Sequence, residues 1–213
     1  MKRREFITFI SGAAAWPLAA RAQEASRVII GFLNAGTATV LKWEIHAFRE
    51  GLRSLGHIEG RNVRLEYRFA DGYLDRLPAL AAELIQLNPN VVVSAPVPAN
   101  LAIAKATNTI PIIMASGADP VGFGLVQSLS HPGGNVTGLT NFAEELASKQ
   151  IDLMRELLPG LARIAALVNV ANPLHLPQWR ETQAAAAQAA IALVPFEFRS
   201  PDQLEEAFAK FTR

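Results

Sequence analysis

The sequence predicts an α/β protein: a parallel sheet covered by helices, complete in one lobe and incomplete in a second. Three observations predict it. Short apolar runs alternate with helical patterns along the chain, and the connections between them are short. The strands divide unequally about residue 140, five before it and two after. Alternation of this kind argues for parallel strands joined by helical crossovers.

Each element has its own signal. RVIIGFL (27–33) is an apolar run suited to a strand buried on both faces. Leu41, Ile45, Phe48, Leu52 and Leu55 recur at helical spacing, and Gly56 is the stop. RNVRLEYRF (61–69) alternates as a half-wet strand does. A helix follows over 75–87, with Pro78 tolerable only in its first turn. NVVVSA (90–95) is a strand, 98–107 a short helix, and TIPIIMAS (109–116) a further strand. A short helix is expected near 121–129. Pro132-Gly133-Gly134 then turns the chain into NVTGLT, a fifth and shorter strand. The glycines there precede a strand instead of opening a helix after one, so they do not form a phosphate-binding loop.

Beyond residue 140, Asn141 and Glu144 have capping-box spacing for a helix reaching Leu158. RIAALVNV (163–170) is a strand, Asn172-Pro173 caps the next helix, and ALVPFEF (192–198) is the last strand. Ser200-Pro201-Asp202-Gln203 starts a final helix. Two strands make a poor independent sheet. Either the chain is a fragment or truncated product, or these strands extend the first sheet; truncation is the expectation.

Composition narrows the function. Half of the 213 residues are hydrophobic and 18% are charged, which predicts a packed core and not disorder. The absence of cysteine excludes disulfides, thiolate metal sites and a lipid-anchoring cysteine. Residues 1–22 read as an export signal: a basic start, a weakly apolar Ala/Gly-rich stretch, and Ala20-Arg21-Ala22 as a small-x-small cleavage pattern before Gln23. Arg3-Arg4 followed by Glu5-Phe6-Ile7 resembles a twin-arginine signal, which implies a periplasmic product. Four of the 20 basic residues and one of the 19 acidic ones lie in that leader. The remainder is mildly acidic, with no basic stripe for nucleic acid.

Catalytic signatures are missing: no GxxxxGK[ST], HExxH or GxSxG is present, and His46, His57, His131 and His175 lack metal-ligand spacing. No cofactor, metal or catalytic residue is predicted. In an open parallel sheet, ligands bind beyond the carboxyl ends of the strands. That rule selects Asn34 and Gly36, Ser94 and Pro96, Ser116, Gly117 and Asp119, and Asn169 and Asn172. Backbone amides, hydroxyls and helix N-termini there suit a small carboxylate, and Asp119 would meet an ammonium group. Ser, Asn and Gly also favour turns and caps for purely local reasons.

Long segments carry a resemblance: VIIGFLNAG, AFREGLRSLGHIEGRNVRLEYRFADG, DRLPALAAEL, IPIIMASGADPVGFGLVQSLSHPGGNVTGLT and LLPGLARIAALVNVANP. With the leader, they make the chain similar to the substrate-binding proteins of ABC transporters, and to the tryptophan and aromatic amino-acid binders among them. The resemblance implies a type I periplasmic-binding-protein fold, with two Rossmann-like lobes closing over a small ligand. It implies a leader over 1–22, a first lobe over 23–140 and a partial second lobe over 141–213. The expected partners are a small-molecule ligand and an inner-membrane ABC permease, with the protein itself monomeric. The alternatives are an extracytoplasmic sensor of the same fold or an enzyme on a doubly wound fold.

Overall fold

The computed structural model describes residues 27–141 and 146–210. The leader, and the Glu144 end of the Asn141 capping box, lie outside those residues. Five parallel strands form one sheet: β1 (Val28–Asn34), β2 (Val63–Phe69), β3 (Val91–Ala95), β4 (Ile112–Met114) and β5 (Val136–Gly138). Their order is β2-β1-β3-β4-β5. α1 (Lys42–Ser54) joins β1 to β2. A 3-10 turn (Leu74–Arg76) and α2 (Leu77–Gln86) lead to β3, and α3 (Val97–Ala106) leads to β4. The direction of strand addition reverses between β1 and β3, and a reversal of that kind opens a crevice at the carboxyl edge.

Period-two alternation along β1 divides the core between two faces. Leu33 packs with Val92, Ile112 and Met114 against Leu77, Ala81 and Leu84 of α2 and Ile103 of α3. Gly31 lies on this face because a Cβ there would meet Leu84 and Val92 at 3.3 Å. On the opposite face Ile30, Phe32, Val63, Leu65 and Val93 pack beneath Phe48 and Leu52 of α1. The Phe32 and Phe48 rings stand 5.8 Å apart. Pro78 falls in the first turn of α2, where its missing N–H is harmless. Gly56 takes φ +82° just past the end of α1, the left-handed stop that glycine allows.

The second sheet holds β6 (Arg163–Asn169) and β7 (Ala192–Phe198), preceded by α4 (Ala147–Leu157) and bridged by α5 (His175–Gln188). The two late strands therefore do not extend the first sheet. Ile151 of α4, Ala185 and Ala186 of α5, and Ile191 form the core of this unit. A 3-10 turn (Pro201–Gln203) and α6 (Leu204–Ala209) follow β7. Gln203 Oε1 accepts the Arg199 N–H at 2.8 Å, tying this turn back to the end of β7. The plan repeats that of the first sheet. Seven-residue strands pair in parallel over their whole length in both, Val28↔Val63 to Asn34↔Phe69 and Arg163↔Ala192 to Asn169↔Phe198. Each pair then leads into a 3-10 turn and a helix.

Several sequence expectations are corrected. Residues 121–129 form a turn, not a helix. Leu125 and Val126 both donate to the Pro120 carbonyl, and Gly124 at φ +69° diverts the chain. Two glycines in four residues give a helix too little propensity to persist. β4 is shorter than 109–116, because Thr107 Oγ1 accepts the Thr109 and Ile110 N–H groups and bends the approach into a turn. Leu55 belongs to no core; it lies past the end of α1 and is 76% exposed.

Candidate functional site

Parallel pairing aligns three loops at one edge of the first sheet. Asn34, the last residue of β1, pairs with Ala95 of β3, and Ser94 pairs with Met114 of β4. Neighbouring strands lie about 4.8 Å apart, so the loops after β1, β3 and β4 stand side by side at the topological reversal. Pro96, Ser116 and Asp119 are exposed on this rim and Gly36 is half-buried. Asn34, Ser94 and Gly117 are buried beneath it. The nine selected positions thus separate into a rim, a floor and, in Asn169 and Asn172, a pair at the other sheet.

The floor is a closed polar network. The Ser94 hydroxyl, wholly buried, donates to Asn100 Oδ1 at 2.7 Å. Asn100, also wholly buried, donates through Nδ2 to the Ser116 carbonyl at 2.9 Å. Gly117 lies over this amide, and a Cβ there would stand 3.1 Å from Asn100 Nδ2. The Gly117 carbonyl accepts the Asn141 N–H at 2.8 Å. In this way α3 and the start of the crossing segment clamp the 116–119 loop from two sides. Buried polar groups are tolerated only when paired in this manner. Ser94 spends its hydroxyl inside the protein and offers none to the rim. Asn100 escaped the sequence reading; its one signal was an amide set in the apolar run VPANLAI.

The acid and amide side chains serve the turns around them. Asn34 Oδ1 accepts the Gly36 N–H at 2.8 Å, and Asn169 Oδ1 accepts the Ala171 N–H at 3.0 Å, the same device at the end of the first strand of each sheet. Asn172 Oδ1 accepts the Leu174 N–H at 3.1 Å, just ahead of α5. Asp119, at φ +40°, accepts the Gly122 N–H through Oδ1 at 2.8 Å. Its carboxylate lies so close over Gly122 that any Cβ there would overlap it. Local turn chemistry therefore accounts for these residue types, as the sequence allowed. Asp119 still carries a carboxylate to the exposed rim.

At the second sheet, Asn169 and Asn172 border a cavity of about 170 Å³ together with His175, Gln178 and Trp179. The His175 and Trp179 rings are stacked with centroids 6.3 Å apart. A hydrogen bond ties the two strand-end edges together: Tyr73, after β2, donates its hydroxyl to Asp202 Oδ1, after β7, at 2.8 Å. Both loops follow strand carboxyl ends, so there the two edges face one another. A larger hollow, about 630 Å³, lies between the end of α4, residues 158–161 and Ala189. It opens at the amino end of β6, away from every strand-end loop. Among the described residues no group of three or more His, Asp or Glu could hold a metal, and no helix is long and apolar enough to cross a membrane.

Polar, turn-forming loops at the strand ends of a doubly wound sheet, beside a second βαβ unit, are the arrangement of the two-lobed α/β class. The model of the ABC transporter substrate binding protein family matches residues 39–213, and the chain belongs to that family. A tyrosine-binding protein of Clostridioides difficile is 29% identical over 125 residues, taking in 59% of this chain and 36% of that one. An ABC domain from Streptococcus pneumoniae in complex with L-Trp is 27% identical at TM-score 0.76, with 88% of this chain covered. A conserved domain protein from Vibrio cholerae is 27% identical at TM-score 0.78, with 86% covered. This chain spans 62% of the length of each of those two solved chains. The fold is that of type I periplasmic binding proteins, with five parallel strands in the first sheet and two in the second among the described residues.

Proposed function

We propose that this chain is the exported solute-binding component of an ABC uptake transporter and that its ligand is an aromatic amino acid. The reading rests chiefly on the rim at the β1/β3/β4 carboxyl edge, where Gly36, Pro96, Ser116 and Asp119 gather over a rigid floor. Support for the ligand class comes from relatives whose names carry tyrosine and L-Trp. The ligand's carboxylate meets backbone amides of these loops and the N-terminus of α3. Its ammonium meets Asp119. Asn169 and Asn172 contribute from the second lobe, while Asn34, Ser94 and Gly117 hold the first-lobe loops in place. The first lobe runs over 23–140 and the second begins at 141. Ligand contacts with both lobes favour a closed form, which docks on a membrane permease; no chemistry is performed. The mature protein is a periplasmic monomer released from a twin-arginine leader over 1–22.

Asp119→Asn tests the site. The amide keeps an acceptor for the Gly122 N–H but discards the charge. A charge-assisted hydrogen bond is worth about 1.5–3 kcal/mol, so affinity for L-tryptophan or L-tyrosine falls roughly ten- to a hundredfold by calorimetry. An unchanged affinity removes Asp119 from the site.

A further inference from the structure

The Tyr73–Asp202 contact lies where a closure device has the most leverage. β2 is at one edge of the first sheet and β5 at the other. After β5 the chain passes to the second sheet, so the connection lies on the β5 side. Four strand spacings of about 4.8 Å set the β2 loop roughly 19 Å from that side. A rotation of roughly 20° about the connection would carry Tyr73 roughly 7 Å, well beyond hydrogen-bond reach. No helix or strand of one sheet packs extensively on an element of the other among the described residues. Small contacts therefore weigh heavily in the balance between open and closed forms.

A second observation at the same place is independent of the hydrogen bond. Gly72 has φ +83°, and a Cβ there would come 2.7 Å from Pro201 Cγ of the opposite lobe. The approach of the two loops requires glycine on both counts. The two segments also sit at corresponding places in the internal repeat, Gly72 and Tyr73 just before the 3-10 turn that follows β2, Pro201 and Asp202 at the start of the one that follows β7. We infer that Gly72, Tyr73, Pro201 and Asp202 form a latch across the mouth of the cleft, opposite the connection, which holds the lobes closed and sets affinity without belonging to the ligand rim. The effect on affinity rests on the function proposed above; the latch itself does not.

Its test reads lobe separation without ligand. The chain has no cysteines, so spin labels go cleanly onto cysteines replacing Gln86 of α2 and Gln188 of α5, both exposed. Electron–electron distance distributions are compared for the otherwise unchanged chain, Tyr73→Phe, Asp202→Ala, both together, and Gly72→Ala. One lost hydrogen bond raises the open-to-closed ratio roughly two- to tenfold. The double variant shifts it no further than either single one. Gly72→Ala opens the lobes as well. Gly60→Ala controls for backbone strain, since Gly60 has φ +82° with no atom within 4 Å of a Cβ, and it leaves the distances unchanged. Unchanged distributions in Tyr73→Phe and Gly72→Ala overturn the latch, as would equal opening by Gly60→Ala. Calorimetry with L-tryptophan and L-tyrosine separates the two claims. Shifted distances with no binding by any variant leave the latch standing and remove the ligand assignment.

Discussion

Asn100→Ala is the perturbation whose cost the structure defines best. Asn100 and Ser94 are both 0% exposed, so water cannot replace what the substitution removes. Loss of the bond to the partly buried Ser116 carbonyl costs about 1 kcal/mol. Orphaning the Ser94 hydroxyl costs about 1–3 kcal/mol more. The void left by the amide adds about 1 kcal/mol, for a sum of about 3–5 kcal/mol. Native-state hydrogen exchange of the β3 and β4 amides reads this cost in the sheet concerned. Removing both partners is cheaper than removing one. Ser94→Ala combined with Asn100→Leu leaves no orphaned hydroxyl and recovers about 1–3 kcal/mol relative to Asn100→Leu alone. A cost under about 0.5 kcal/mol for Asn100→Ala, or strict additivity in the pair, would refute the claim that a closed network supports the rim.

Other consequences follow from the same geometry. Gly138 has φ +143°, and a Cβ there would overlap the Met114 backbone, so Gly138→Ala strips β5 from β4 and costs about 2–5 kcal/mol in urea unfolding. Tyr73 donates to Asp202 only while protonated, and that hydrogen bond raises its pKa above 10.0, with Arg76 opposing and Asp71 adding to the shift. The latch is therefore intact at neutral pH and is lost as pH rises through the raised value; label distances that begin to widen well below pH 10 would contradict this. Replacing Arg3 and Arg4 together by lysine leaves precursor in the cytoplasm, seen as a larger band in fractionated cells; normal export argues against a twin-arginine route.

Strand order of burial and helix spacing were legible because both follow from local periodicity. The apolar run at 27–33 and the alternation at 61–69 match β1 and β2 to within two residues at either end. Periodicity did not reveal that 121–129 would fail as a helix, since that outcome depends on Asp119 reaching Gly122 and on Gly124 turning left-handed. The site was half legible. Strand-end position selects the loops that gather at the carboxyl edge, yet it does not distinguish a residue on the rim from one beneath it. Ser94 and Ser116 read alike as sequence, and only the placement of Asn100 assigns one to the floor and leaves the other on the rim. Tyr73 and Asp202 are 129 positions apart. No local pattern could have joined them.

At the centre of the proposed function is a ligand held at the strand ends of both lobes. Titrating L-tryptophan into isotopically labelled protein and following every backbone amide by NMR tests it most directly, because weak binding is also visible. The expected result is saturable shifts concentrated at residues 34–36, 96–97, 116–119 and 169–172, with the Lys149–Gly160 hollow unaffected. Shifts centred on that hollow, or none in the strand-end loops with either L-tryptophan or L-tyrosine, would contradict it.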